Sequence, residues 1–248
     1  MFHVEHPPGD IGAIAMTFEF DFEPFFRPYL ALVEKADAVF DRIRGQFSGE
    51  VRCQIGCADC CHALFDLSLI EALYISHQFQ QTWSGRSKER LLEKANRADR
   101  DTYRIKRQAF RDLQAGKSER EVLESVASQR VRCAMLNDED RCDIYAFRPI
   151  TCRLYGIPTS IGGEGHTCGR SGFEPGKPYP TVNLDELNRQ LHQISEQLVA
   201  ALNSRHVKMA DILVPLSMAL LTQYDDVYLG VGEEEPEETQ RTAGEKGA

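Results

Sequence analysis

The sequence predicts a mainly α fold: a single irregular helical domain organised around cysteine-rich loops. Three observations predict it. Apolar residues recur at three- and four-residue steps along most of the chain, as the buried face of a helix requires. Ser or Asn followed three residues later by Glu opens three of those stretches, and that spacing lets the two side chains cap each other's backbone N–H groups. Strict apolar–polar alternation, the mark of a half-buried strand, is nearly absent.

Taken in order, the first helix is expected over 22–47. Pro24 suits its opening turn, and Tyr29, Val33, Ala36, Phe40, Ile43 and Phe47 mark one face. A cysteine-rich loop follows. Ser68 and Glu71 then cap a second helix whose apolar face is Leu69, Leu73, Ile75 and Phe79. Residues 86–129 are strongly charged and helix-forming, with a patchy stripe of Leu91, Leu92, Ala95, Ala98, Phe110 and Leu113. Gly116 interrupts them, and Ser118 with Glu121 restarts the helix before Val122, Leu123 and Val126. After a Gly/Pro-rich loop at 162–180, Asn183 and Glu186 introduce the cleanest amphipathic helix, with Leu184, Leu187, Leu191, Ile194, Leu198 and Leu202 on one side. A shorter apolar helix is expected over 209–222, kinked or started by Pro215. The domain assignment is an N-terminal tail at 1–21, a helical domain at 22–230 with its motif core at 50–170, and an acidic tail at 231–248 that has little to bury.

A hydrophobic content of 42% is that of an ordinary globular chain, and the formal charge is −9. An acidic protein with both signs interspersed lacks the clustered Lys and Arg that phosphate contacts need, so no nucleic-acid partner is expected. No run approaches the roughly 18 apolar residues of a membrane span, so no membrane partner is expected either. The N-terminus shows neither a basic start nor an apolar stretch, and is not read as a secretory signal. The expected location is cytoplasmic, where clustered cysteines hold metal or do redox chemistry more often than they form structural disulfides.

The eight cysteines fall in two groups: Cys53, Cys57, Cys60 and Cys61 in CQIGCADCC, then Cys133, Cys142, Cys152 and Cys168. Thiolate is a soft ligand that suits zinc, iron and iron–sulfur clusters. Such close spacing lets several sulfurs converge from one loop, and Gly56 permits the tight backbone this needs. All eight are therefore candidate metal ligands, and a metal ion is the expected partner; no protein partner can be read from the chain. Side chains of the neighbours Cys60 and Cys61 diverge, which suits a polynuclear cluster or two nearby ions better than one tetrahedral zinc. The competing reading of Cys61 is packing, as a buried free cysteine often does. Eight sulfurs could serve two four-thiolate sites or one cluster with spare ligands, and the spacing does not choose. His62 and His166 could replace a thiolate, although a polar loop histidine is the plainer reading of each. Arg148 and Arg153 are read as donors offsetting thiolate charge, and Arg132 and Arg141 as surface partners of the acidic run Asp138–Asp140 and Asp143. Trp83 is read as an edge-of-core residue.

CQIGCADCC, SLIEALYI and RCDIYAFRPITCRLYG together resemble the YkgJ-type cysteine-cluster family, a zinc- or iron-chelating domain. Its second motif is matched here by Cys142, Ile144, Tyr145, Arg148, Pro149, Cys152 and Arg153; the chain departs from it at Ala134, where proline is common after the cysteine. The resemblance covers roughly 50–170. It implies chelation of zinc, iron or an iron–sulfur cluster, and a turn into Cys152 shaped by Tyr145, Arg148 and Pro149. It implies no settled reaction. An enzymatic alternative follows from flagellin lysine N-methylases, which share the cysteine domain. A radical S-adenosylmethionine enzyme is a further reading of Cys53, Cys57 and Cys60. Asp59 stands where that family has an aromatic, and the barrel's alternating strands and helices are missing. Gly162–Gly165 is read as a flexible loop.

Overall fold

The computed structural model describes residues 20–232. The predicted tails at 1–21 and 231–248 lie outside the described residues, apart from Phe20, Asp21, Val231 and Gly232.

The fold is mainly α. Helix α1 spans Glu23–Gln46, with proline in its first turn and Tyr29, Val33, Ala36 and Ile43 buried. The short strand β1, Asp66–Leu67, leads into α2, Leu69–Thr82. The Ser68–Glu71 capping box is present, and Leu69, Leu73, Ile75 and Phe79 are buried as the periodicity predicts. The charged region forms α3, Gly85–Gln114, and α4, Glu119–Ala127, separated at Gly116 and reopened by the Ser118–Glu121 box. Helix α5 is a short Ile150–Leu154. Strands β2, Thr159–Ile161, and β3, Glu164–His166, form an antiparallel hairpin, and β4, Val182–Asn183, joins β2 in parallel. Helix α6, Leu184–Ala201, starts where Asn183 accepts the Glu186 N–H at 3.1 Å. Strand β5, Val214–Pro215, pairs with β1, and α7, Leu216–Leu221, and α8, Asp226–Leu229, end the described chain. No helix among the described residues is long and apolar enough to cross a membrane.

The core lies where α1, α2, α6 and α7 meet, and α3 packs on α7 and α4. Leu69, Ile70, Ile75, Phe79, Leu198 and Ala219 are fully excluded from water. Trp83 sits partly buried at the core's edge, 5.3 Å from the Phe79 ring and 6.0 Å from that of Phe147.

Four sequence expectations are corrected. Gly162–Gly165 is no loose loop. Gly162 and Gly163 both adopt positive φ, 59° and 83°, the two-residue turn whose twist suits a hairpin. The stretch 209–222 is not one helix. A single 3₁₀ turn at Met209–Asp211 and strand β5 precede α7, because Pro215 fixes an extended φ/ψ just before the helix. Helix α8 was not expected; it is one turn, capped by Asp225 and closed by Gly230 in the left-handed region. The stripe on α3 is buried only in part. Leu91 and Ala95 are covered, while Phe110 is 59% and Leu113 42% exposed.

Candidate metal centre

The two cysteine stretches are joined through the backbone. The chain leaves α1, and a 3₁₀ turn at Cys60–His62 carries the adjacent cysteines. The Cys133 N–H donates to the Cys61 carbonyl at 2.7 Å, and the Val131 N–H to that of His62 at 3.2 Å. Cys142 is returned to Cys133 by a tight loop. Asn137 Oδ1 accepts the N–H groups of Glu139 and Arg141, Asp140 takes a positive φ of 54°, and Leu136 bridges to Cys142. Cys152 lies on α5, whose first N–H, from Ile150, donates at 3.1 Å to the buried Glu71 carboxylate. One carboxylate thus caps α2 and also fixes the helix that carries Cys152. Cys168 returns to the first stretch because the Gly172 N–H donates to the Glu50 carbonyl at 2.7 Å.

All eight cysteines are unpaired, so no disulfide framework exists among the described residues. They line two adjoining cavities. Cys60, Cys61, Cys133, Cys142 and Cys152 line an inner one, of about 60 Å³, with Arg148 and Pro149. Cys53, Cys57, Cys60 and Cys168 line a smaller outer one, with Tyr155 and Gly156. Cys60 faces both. Its sulfur stands 4.0 Å from that of Cys61. Zinc–sulfur bonds of 2.3 Å in a tetrahedron place sulfurs about 3.8 Å apart. Among the described residues no three His, Cys, Asp or Glu side chains are drawn together tightly enough to grip one ion as they stand. What fits zinc or iron is the donor set: soft sulfur, partly buried and gathered on shared walls.

Electrostatics set Cys60 apart. Hydrogen bonds from Cys152 and Cys61 hold its thiol far below the ordinary range. Its neighbours move the other way. Burial, then the charges of Cys57, Cys60 and Cys168, pushes Cys53 up to about 11. Burial first also raises Cys142 to about 11 and lifts Cys133. The Cys60 hydrogen bond followed by burial raises Cys61 and Cys152. A bound cation would favour the deprotonated form of each thiol it touches, since thiolate is the metal-ligating form.

The most connected polar group beside the thiols is Asp59. It accepts from the Arg130 guanidinium at 2.6 Å, the Tyr155 hydroxyl at 3.0 Å and the Cys168 thiol at 3.4 Å, with Arg170 at 3.6 Å. Burial raises its pKa, but these partners more than offset that and hold the carboxyl below its usual range. Burial, then the Asp59 bond, takes Tyr155 up to about 12. Sequence reasoning passed over this network. Its signal was proximity: Arg130, Tyr155 and Arg170 each lie within three residues of a cysteine.

The arginines divide differently from expectation. Arg148 lines the inner cavity, stacks 3.9 Å over the Tyr145 ring and donates to the Tyr145 carbonyl at 2.8 Å. Arg153 turns away from the thiols, pairing with Asp37 of α1 at 2.6 Å and donating to the carbonyls of Ala146 and Arg148. It anchors α5 to α1 rather than offsetting thiolate charge. Arg132 donates to the Asn137 carbonyl at 2.7 Å and lies 3.9 Å from Asp140, and it also lines the inner cavity, which the surface reading did not foresee. His62 Nδ1 is 3.0 Å from the Ala58 carbonyl, within its own loop, and His166 is exposed on β3; neither lines either cavity.

Residues 52–169 match the CxxCxxCC family, described as "Putative zinc- or iron-chelating domain", which is the cysteine-cluster family the motifs resemble. No curated protein and no solved structure matches the chain.

Proposed function

We propose that this chain, whose residues 52–169 belong to the CxxCxxCC family, chelates zinc or iron through Cys53, Cys57, Cys60, Cys61, Cys133, Cys142, Cys152 and Cys168. The observation that carries the reading is the meeting of unpaired cysteines from both ends of that span on two adjoining cavities. A bound metal would cross-link the loops, its binding free energy counting toward folding.

One feature favours a second reading, an iron–sulfur centre with redox or catalytic work. The inner cavity faces its thiols with an apolar wall of Ala63, Leu64, Ala98, Val131 and Leu216. A small apolar group there would lie against the sulfurs. No residue outside the cysteines supports methyl transfer in particular.

Elemental analysis with a visible spectrum on anaerobically purified protein separates these. Zinc without colour supports the closed chelate, whereas iron with labile sulfide and a broad visible band supports the cluster. Cys57→Ser is expected to lower metal content and melting temperature together. A wild-type chain that carries neither metal, takes up neither when offered, and still melts cooperatively overturns the proposal.

A further inference from the structure

We infer that the eight cysteines form two four-thiolate centres, divided between the adjacent residues Cys60 and Cys61. Cys53, Cys57, Cys60 and Cys168 make the outer centre; Cys61, Cys133, Cys142 and Cys152 make the inner one. The inference rests on the chelation reading and deepens it.

Cys53, Cys57 and Cys168 line only the outer cavity, and Cys61, Cys133, Cys142 and Cys152 only the inner one. Cys60 is the cysteine common to both. Structural zinc and mononuclear iron–sulfur chemistry close at four thiolates. The inner group already has four without Cys60, while the outer group is one short. Giving Cys60 to the inner group would crowd one centre with five sulfurs and leave the other with three.

Local geometry permits the division. Cys60 and Cys61 occupy a 3₁₀ turn, where consecutive side chains leave the axis about 120° apart. Cys60 touches two thiols of the inner group, Cys61 at 4.0 Å and Cys152. These contacts do not by themselves assign it, since 4.0 Å is close to the sulfur–sulfur edge of a single tetrahedral ion and thiols of adjoining centres also touch. The count of donors on each wall assigns it.

The partners around each group also differ. The outer wall adds Arg52, Arg170 and Tyr155, and Asp59 holds the Cys168 thiol there. The inner wall adds Ala63, Leu64, Phe65 and Val131, with Arg132 and Arg148 as cations beside the sulfurs. The Cys60–Cys61 peptide would join the two centres, and the Cys133–Cys61 hydrogen bond would hold the inner one together.

The test counts ions. Wild-type protein is stripped of metal under reducing, anaerobic conditions, reloaded with zinc alone, and weighed by native mass spectrometry. Two zinc ions per chain are expected. Cys60→Ser and Cys168→Ser should each retain one, and so should Cys61→Ser and Cys142→Ser. The double variant Cys168→Ser/Cys142→Ser should retain none. Cobalt in place of zinc reads which centre survives: the ion left in Cys60→Ser should keep a four-thiolate spectrum that Cys142→Ser then removes. One ion per chain in wild type overturns the division even if every variant misfolds. So does the loss of both ions from any single variant, or full retention in Cys61→Ser, which would mark Cys61 as packing and Cys60 as shared. A wild type that binds no zinc and no iron overturns the chelation reading itself, a result distinct from binding one.

Discussion

Asp59 and Glu71 show what a single carboxylate does when it faces several donors. Asp59 gathers an arginine from the end of α4's loop, a tyrosine from beyond α5 and a thiol from the far end of the motif region. Glu71 is buried and accepts from the Ser68 N–H and hydroxyl and from the Ile150 N–H, so two helix N-termini converge on it. Burial, its largest influence, raises its pKa above the ordinary 4.5 in spite of those bonds. The folded state therefore binds this proton more tightly than the unfolded chain does. That contribution to stability is complete below 4.5 and is lost as pH rises through the raised pKa. Glu71→Gln keeps the shape but turns an amide donor toward one set of N–H groups, which should cost about 1–3 kcal/mol at neutral pH. The wild-type advantage over this variant, followed as melting temperature, should narrow as pH climbs from 4 toward neutrality. An advantage that widens over that range contradicts the sign.

At the scale of elements, what could be read in advance was what is written locally. The capping boxes at Ser68 and Ser118 and the Asn183 cap are spacings of three residues, and each starts a helix where expected. The faces of α1, α2 and α6 follow from periodicity for the same reason. The eight cysteines could be named as candidates from residue type and spacing, but which of them share a cavity could not. That depends on a loop at 137–141 and on β-pairing that only the folded chain shows. The second duty of Glu71, as acceptor for α5, depends likewise on a contact distant in sequence, and a capping-box pattern holds no trace of it. Gly156 is a case where the backbone itself carries the site. Its φ is +107°, and a side chain there would place a carbon 3.0 Å from the Cys53 Cβ. Gly156→Ala should therefore cost about 1–3 kcal/mol through backbone strain and push Cys53 out of the outer group. The measurable outcome is a lower melting temperature with weaker binding of one zinc ion of two. Unchanged zinc affinity for both ions would separate Gly156 from the centre.

For the molecule as a whole, two kinds of cohesion are laid side by side. Helices α1, α2, α6 and α7 share a continuous apolar core, which by itself can hold a fold. The cysteine segments enter that core unevenly. Met135, Ile144, Ile150 and Leu154 are buried in it, and the Ile150–Glu71 bond and the Arg153–Asp37 pair tie α5 to α2 and α1, whereas 53–60 and 165–172 add no fully buried side chain. Within a net stability of order 5–15 kcal/mol, stretches that bury so little apolar surface open at lower cost than the helices do. Stripping metal from the reduced protein should therefore lower the melting temperature and raise amide exchange at 53–60 and 165–172. Amides of α1, α2 and α6 should stay protected, and most of the helical circular dichroism should survive. The reason is that thiols returned to their neutral form lose the cation that gathers them, while nothing in the apolar core changes. Should removal of the metal instead unfold all the helices in one step, the core would depend on the cysteine loops far more than its own packing implies.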